Sequence, residues 1–173
     1  MTWVQRILES LNWHPLSVEI EWEVVERELG CQLPADFRQL CGMFGRGVFS
    51  GFLEISSSFG GEDSLPLGAW RSLRCTVDSD PSIGGYLAPY GVYRPGVPGL
   101  IPWASTYLEH QIYWVAEDHP GTEWLIVVQN SEGEWSEFAM TASEFVFRSL
   151  MDDGFAVGVA EYGTPYYDLA ESS

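Results

Sequence analysis

The chain has 173 residues, of which 46% are hydrophobic and 14% aromatic; this is enough apolar material for a packed core and excludes wholesale disorder. Its 25 acidic residues against eight Arg and no Lys give a formal charge of −17, so direct binding to nucleic acid or to an anionic membrane is not expected. Residues 101–173 hold 13 acids and only Arg148, a net charge of −12, and we expect this half to face a basic partner. The alternative is that the acidic surface serves solubility alone.

Three helices are predicted in the N-terminal part of the chain. Thr2 has the position of the first residue in a capping box, which predicts a helix from residue 3. A second helix is predicted over residues 17–29, with Gly30 as its left-handed stop. Pro34 and Asp36 suit the first turn of a third helix, where a missing N–H costs nothing and a carboxylate favours the dipole.

The middle of the chain changes character. Residues 47–55 are aromatic, β-branched and interrupted by Gly51, which predicts one strand. Residues 60–99 hold eight Gly and five Pro, so we expect an ordered loop there, with a short helical turn at residues 67–77.

The C-terminal half predicts an antiparallel meander. Its three strands are expected at residues 111–116, 124–129 and 134–139. Thr141 begins a second capping box and Gly154 ends the helix that follows. The predicted fold class is therefore α+β, a mainly antiparallel sheet flanked by helices, in a single domain over residues 1–158. Residues 159–173 would add an edge strand or a tail.

No motif assembles an active site. Three histidines lie beside turns or strand ends, and a metal pair of the last two is the weaker alternative to exposed loop residues: His14, His110 and His119. Three cysteines form no CxxC pair, and burial is a more usual fate for them than nucleophilic chemistry: Cys31, Cys41 and Cys75. Glycine-rich stretches lack the phosphate-loop spacing. The sequence predicts no enzyme, no metal and no cofactor.

The candidate binding residues are therefore partner-facing ones. Trp70 and Trp103 lie in or beside the Gly/Pro-rich segment and are candidate anchors, since Trp is a common interface hot spot. Four acids of the C-terminal half are candidates for contact with a basic partner, and neutralising them should slow association: Glu117, Asp118, Glu132 and Glu134.

The N-terminus shows no signal-peptide pattern, because Arg6 and Glu9 interrupt its apolar residues. No apolar run approaches the length of about 18 residues that a membrane span needs. We expect a cytoplasmic protein with reduced thiols, which is a monomer or a weak dimer.

Residues 20–38 resemble the opening signature of the SUKH superfamily, which includes the Smi/Knr-type cell wall assembly regulators of fungi and many bacterial immunity proteins. The shared pattern is a glutamate-rich helix ending in Leu29-Gly30, then Leu33-Pro34 and an acidic-aromatic helix start. Five later segments follow in the family's order, at residues 99–104, 110–114, 124–128, 135–138 and 143–146. The resemblance spans residues 17–153, and departs from the family's Asn-Gly-Gly where this chain has residues 44–47, Phe-Gly-Arg-Gly.

The resemblance implies a sheet flanked by helices, no catalysis, and in bacteria the neutralisation of a toxin, often a nuclease. It carries over no binding residue, because the shared motifs are mainly structural. The leading hypothesis is an immunity protein that occludes a basic site on a toxin. The alternatives are a regulatory or scaffold module of the cell wall regulator type and, third, an enzyme.

Overall fold

A computed structural model describes residues 1–55, 66–117 and 124–170. It has seven strands in one antiparallel sheet: β1 (Gly47–Phe49), β2 (Leu53–Ile55), β3 (Gly99–Thr106), β4 (Gln111–Ala116), β5 (Leu125–Gln129), β6 (Trp135–Phe138) and β7 (Tyr167–Leu169). Its helices are α1 (Trp3–Ser10), α2 (Trp22–Leu29), α3 (Ala35–Phe44), α4 (Leu67–Ser79) and α5 (Ala142–Met151), with 3-10 turns at Pro81–Leu87 and Ala160–Tyr162. The predicted α+β class and the C-terminal meander are confirmed.

The sheet order is β6-β5-β4-β3-β2-β1-β7, so neighbouring strands are consecutive except at the β1–β7 edge. Both helical caps predicted from sequence are present at their expected residues. The Thr2 hydroxyl accepts from the Gln5 amide while the Gln5 side chain accepts from the Thr2 amide, which closes the predicted box. The Thr141 hydroxyl likewise accepts from the Glu144 amide at the start of α5.

The second helix is shorter than predicted. It begins at Trp22, and residues 17–21 are not helical. Instead the Leu16 and Val18 amides donate to the carbonyls of Met43 and Gly42, at 2.8 and 3.0 Å. This run therefore occupies carbonyls that the end of α3 leaves without a helical partner, and tertiary contact overrides the local helical pattern. Gly30 ends α2 in the left-handed conformation, as predicted (φ 75°).

Two further predictions in the middle of the chain need correction. Residues 47–55 form a hairpin of two short strands rather than one strand, because Ser50 and Gly51 both adopt positive φ and reverse the chain. The expected short turn at residues 67–77 is a 13-residue helix, α4. It is held by burial, since Leu67 and Trp70 are fully enclosed.

The core lies between the sheet and the helices, all five of which contribute buried residues to it. The Phe37 ring of α3 contacts the rings of Trp103 and Trp114 edge-on, with centroids 5.8 and 4.7 Å apart. Phe145 of α5 also contacts the Trp103 ring edge-on, with centroids 5.8 Å apart. Such edge-to-face pairs add about 0.5–1.5 kcal/mol each beyond the area they bury.

α3 and α5 are also joined by a polar contact. The Asp36 carboxylate accepts a hydrogen bond of 2.8 Å from the Ser143 amide in the first turn of α5. Asp36 was predicted to favour the dipole of its own helix; here it serves the positive ends of two helices.

Candidate functional site

Four loop segments lie at the same end of the sheet. They are residues 50–52 between β1 and β2, 107–110 between β3 and β4, 130–134 between β5 and β6, and 161–166 ahead of β7. The antiparallel register places them at the same end of the strands, spread across the sheet from the β6 edge to the β7 edge. We call these four segments together the tip surface.

A cleft of about 420 Å³ opens within the tip surface. The first, second and fourth segments supply most of its walls, and Gly158 and Val159 complete them. Four large apolar or aromatic residues of its lining are exposed: Tyr107 is 83% exposed, Tyr162 79%, Leu108 62% and Tyr166 48%. Tyrosines presented in this way are typical of protein interfaces, since they offer a large rigid area with a polar tip.

The β3–β4 turn positions Tyr107 and Leu108. The Thr106 amide donates to the His110 carbonyl, and the Thr106 hydroxyl lies 3.0 Å from the His110 Nδ1 atom. Glu109 between them has a positive φ of 63°, a conformation that costs a non-glycine residue energy. The turn therefore holds the Tyr107 and Leu108 side chains outward, and the backbone strain at Glu109 is the energetic cost.

The hairpin tip positions the C-terminal tyrosines. The Ser50 amide donates to the Tyr166 carbonyl at 2.7 Å, and the Tyr166 amide donates to the Ser50 hydroxyl at 3.3 Å. A methyl group on Gly51 would stand 2.8 Å from the Tyr166 hydroxyl, so glycine leaves room for that ring. Glu161 hydrogen-bonds to the Tyr162 hydroxyl and raises its pKa.

The charge of the tip surface is purely negative. It carries four exposed acids and no arginine: Glu109, Glu132, Glu134 and Glu161. Most arginines lie among the helices and in the segment after α4, where they meet carboxylates or aromatic rings of the same chain. These contacts join Arg38 to Glu26, Arg71 to Glu28, Arg94 to Asp78, Arg148 to Glu144 and Asp152, Arg6 to Trp3 and Arg74 to Trp70. These arginines are thus paired with other residues of the chain away from the tip surface, whose charged residues are all acidic.

The prediction that Trp70 and Trp103 anchor a partner is wrong. Trp70 and Trp103 are both 0% exposed, so neither side chain presents a surface to a partner. The Trp70 indole N–H donates to the Tyr93 carbonyl at 2.8 Å, which ties α4 to the loop ahead of β3. Trp103 stacks on Trp114 with ring centroids 5.3 Å apart. Both rings serve the core.

The four acids that were predicted to contact a basic partner do not all lie on one surface. Glu132 and Glu134 lie in the tip surface, in the β5–β6 turn. The Asn130 side chain organises that turn, since its oxygen accepts from both of their amides and its NH₂ donates to the Glu134 carboxylate. Glu117 is exposed but lies at the opposite end of the sheet, after β4. Asp118 lies outside the described residues.

Sequence reasoning missed the tyrosines of the tip surface. Residues 159–173 were noted as a tail or edge strand, and the exposure of Tyr162 and Tyr166 depends on the pairing of β7 with β1. The available signal was position: Tyr107 and Leu108 directly follow a buried strand and precede the next one, where a turn needs no apolar side chain.

The titratable groups proposed as alternatives are placed as follows. Burial raises the pKa of the Cys41 thiol, which disfavours the reactive thiolate. Burial lowers the pKa of His110. Over the described residues, no cluster of three or more His, Cys, Asp or Glu side chains could hold a metal ion. His119 lies outside those residues.

Fold and surface together define an α+β domain with one aromatic, acidic end. No protein-family model matches the chain, and no curated protein or solved structure does so either. Among the described residues, no helix combines the length and hydropathy needed to cross a membrane.

Proposed function

We propose that this chain is a non-catalytic protein-binding domain that docks through its tip surface on a basic protein. The observation that carries the proposal is the coincidence of three exposed tyrosines with four glutamates and no arginine at one end of the sheet. The role we propose is that of an immunity protein, which neutralises a bacterial toxin by covering a basic site. The toxin part rests on the SUKH resemblance alone.

The two kinds of residue would act in different stages of binding. Exposed glutamates attract a cationic patch over roughly a Debye length, about 8 Å at physiological salt, and so raise the association rate. The tyrosine rings then supply buried area, and each gains about 0.5–2 kcal/mol if a Lys or Arg side chain of the target lies over its face. Tyr107, Tyr162 and Tyr166 would thus be the hot spots and the glutamates the rim.

A nuclease is the target class that this chemistry suits best. A nuclease site is lined by cations that bind phosphate, and carboxylates can occupy the same positions. Because the target would act on nucleic acid inside the cell, the proposal places this domain in the cytoplasm.

Growth rescue tests the role directly. The product of the neighbouring gene is expressed in a test cell with and without this protein. Relief of toxicity supports the immunity proposal, whereas a harmless neighbour or unrelieved toxicity contradicts it. In the latter case an unbiased pull-down decides whether the domain is a regulatory or scaffold module.

Matched charge variants test the surface once a partner is available. One variant changes Glu109, Glu132, Glu134 and Glu161 to Gln. The control changes Glu9, Glu19 and Glu117 to Gln and Asp153 to Asn; these acids are exposed, lie elsewhere and alter the net charge by the same four units. We expect the first variant to slow association at least tenfold at low salt, with a smaller effect at high salt. Equal slowing in both variants would show that only the overall charge matters.

Tyr107→Ala and Tyr162→Ala test the aromatic part of the surface. Each should weaken affinity by at least tenfold, mainly through faster dissociation, because interface truncations act largely on that rate. Val97→Ala is the control, since Val97 is 52% exposed and lies directly ahead of β3, at the end of the strands opposite the tip surface. Unchanged affinity in both tip variants would remove the cleft from the interface.

A further inference from the structure

The strand β6 forms one edge of the sheet and pairs only with β5 among the described residues. Asn130 and Glu134 are a hydrogen-bonded pair, because the Asn130 amide donates to the Glu134 carbonyl at 3.0 Å. Bonded and non-bonded pairs alternate along an antiparallel ladder, so Ser136 is the next residue to bond to β5. The amide and carbonyl groups of Trp135 and Glu137 therefore point away from β5, and no described residue bonds to them. We call these groups the free edge of β6.

Contacts on both faces of the sheet hold β6 in place. On one face, the Trp135 indole N–H donates to the Ala88 carbonyl at 3.0 Å. On the same face, the Glu137 carboxylate accepts from the Tyr90 hydroxyl at 2.6 Å. On the other face, the Phe138 ring packs on an aromatic ring of α5, with centroids 5.3 Å apart. The strand is therefore fixed in its conformation before any partner binds, which lowers the entropic cost of adding a strand to it.

The free edge of β6 is protected by negative charge alone. Natural proteins protect exposed edge strands with Lys, Pro, bulges or other charged side chains. Residues 134–138 contain no Lys and no Pro, and their ladder with β5 runs without a bulge. Their charged residues are Glu134 and Glu137, both exposed, and no Arg occurs between residues 95 and 147. This charge, on a chain of −17, disfavours pairing with a second copy and favours a basic segment.

The other edge of the sheet lacks this character. β7 has three residues, and Tyr167, the first of them, is only 8% exposed. Its partner strand β1 directly follows the exposed Arg46, whose carbonyl accepts from the Ala170 amide at 2.8 Å. A cation next to this ladder offsets the charge of Asp168 in β7. The two edges thus differ in length and in charge, and β6 is the edge that favours a basic segment.

We infer that the free edge of β6 binds an extended basic segment of a partner protein, which adds to the sheet as a further antiparallel strand. Such strand addition gains affinity from main-chain hydrogen bonds and specificity from alternate side chains. Partner residues opposite Trp135 and Glu137 would share the face of those side chains, where an Arg can lie over the indole or pair with the carboxylate. The residues between them would lie on the face of Phe138, where apolar side chains pack. The preferred segment therefore alternates Arg with apolar residues.

Amide resonances of the ¹⁵N-labelled full chain test the inference with the peptide Ac-Arg-Val-Arg-Val-Arg-Val-NH₂. We expect the Trp135 and Glu137 amides to shift downfield saturably, because both gain an acceptor. Their hydrogen exchange should slow at least tenfold at saturating peptide. The Ser136 amide already bonds to β5 and should change little. The Leu169 amide of β7 should stay in place as well.

Three control peptides separate strand addition from attraction by charge. Ac-Arg-Arg-Arg-Val-Val-Val-NH₂ has the same composition and charge without the alternation. N-methylation of the Arg residues removes the amides that would face β6, whereas N-methylation of the Val residues removes amides that would face away from it. We expect the block peptide and the Arg-methylated peptide to bind at least tenfold more weakly than the alternating peptide. The Val-methylated peptide should bind nearly as well as the alternating one.

A pair of protein variants tests the charge at the edge. Glu137→Gln should weaken binding of the alternating peptide about two- to fivefold, as the loss of an exposed ion pair does. Glu9→Gln, an equal change of charge at an exposed position of α1, should leave binding unchanged. Equal weakening in both variants would contradict a contact between the peptide and Glu137.

The inference is overturned if neither edge amide moves saturably, if the block peptide binds as tightly as the alternating one, or if methylation of Val rather than of Arg abolishes binding. It is also overturned if the Trp135 and Glu137 amides of the free protein exchange as slowly as that of Ser136, because the edge would then be covered already, as by a second copy. The inference goes beyond the proposed function and shares with it only the basic character of the partner. The two amides report on β6 alone, so either result leaves the proposed function to its own test by growth rescue.

Discussion

Gly99→Ala should be among the most destabilising single-methyl changes in this chain. A methyl group on Gly99 would lie 2.5 Å from the Tyr93 amide nitrogen and the Val92 carbonyl carbon, both of them backbone atoms. Reaching ordinary contact at 3.4 Å requires a shift of about 0.9 Å. That shift stretches two hydrogen bonds, from the Tyr93 amide to the Leu100 carbonyl and from the Leu100 amide to the Gly91 carbonyl.

The magnitude follows from these two effects. Overpacking costs about 1–3 kcal/mol and each weakened hydrogen bond about 1 kcal/mol, for a total of roughly 3–5 kcal/mol. In a chain of this length that lowers the melting temperature by roughly 6–20 °C. Near-ultraviolet circular dichroism should change as well, because the displaced Tyr93 carbonyl accepts the hydrogen bond of the buried Trp70 indole.

Gly85→Ala is the matched control. A methyl group there meets no atom within 4 Å, so the same substitution should leave stability unchanged or raise it by up to about 1 kcal/mol. Urea unfolding of the two variants beside the parent decides the matter. A loss below about 1 kcal/mol for Gly99→Ala would refute the reasoning, because it would mean that the loop ahead of β3 moves aside at little cost.

Three further outcomes are expected. Asp36→Ala leaves the buried Ser143 amide without its acceptor and should lower the free energy of unfolding by about 1–3 kcal/mol in urea titration; a loss under 0.5 kcal/mol, on the order of a surface change, would contradict this. Burial raises the pKa of Tyr113 to about 12 from its ordinary 10, so its stabilising contribution is complete below pH 10 and is lost as the pH rises to 12. The urea midpoint should therefore fall as the pH rises from 10 to 12, and it should fall less in Tyr113→Phe; an equal fall in the parent and in this variant would reject Tyr113 as the cause. Ellman's reagent should modify the exposed Cys75 in the folded protein but reach the buried Cys41 only on unfolding, as peptide mapping would reveal, and modification of Cys41 at native pH would contradict its burial.

The sequence predicted the fold correctly where residues within one helical turn determine the local structure. The capping residues Thr2 and Thr141 and the stop at Gly30 act within one turn, and all three were placed correctly. The predictions were wrong where contacts with residues distant in sequence override the local pattern. The helical pattern of residues 17–21 lost to hydrogen bonds with the end of α3, whose position no local pattern encodes.

The proposed binding surface was less predictable for the same reason. Tryptophan is both the largest core residue and the most frequent hot spot, and composition does not distinguish the two uses. Trp70 and Trp103 proved to be core because of what packs around them. Glu132 and Glu134 were chosen from charge, but only the strand register places them at the same end of the sheet as Tyr107.

The pairing of β7 with β1 has a consequence for the order of events during synthesis. Tyr167 inserts among Trp13, Phe44 and Phe49, which are made more than a hundred residues earlier. The ribosome therefore releases nearly every other element before this edge of the sheet can close. Tyr162 and Tyr166 reach the tip surface only in that last step. The proposed binding surface would consequently be incomplete in a nascent chain until residues 161–169 had emerged, which couples the assembly of that surface to the completion of folding.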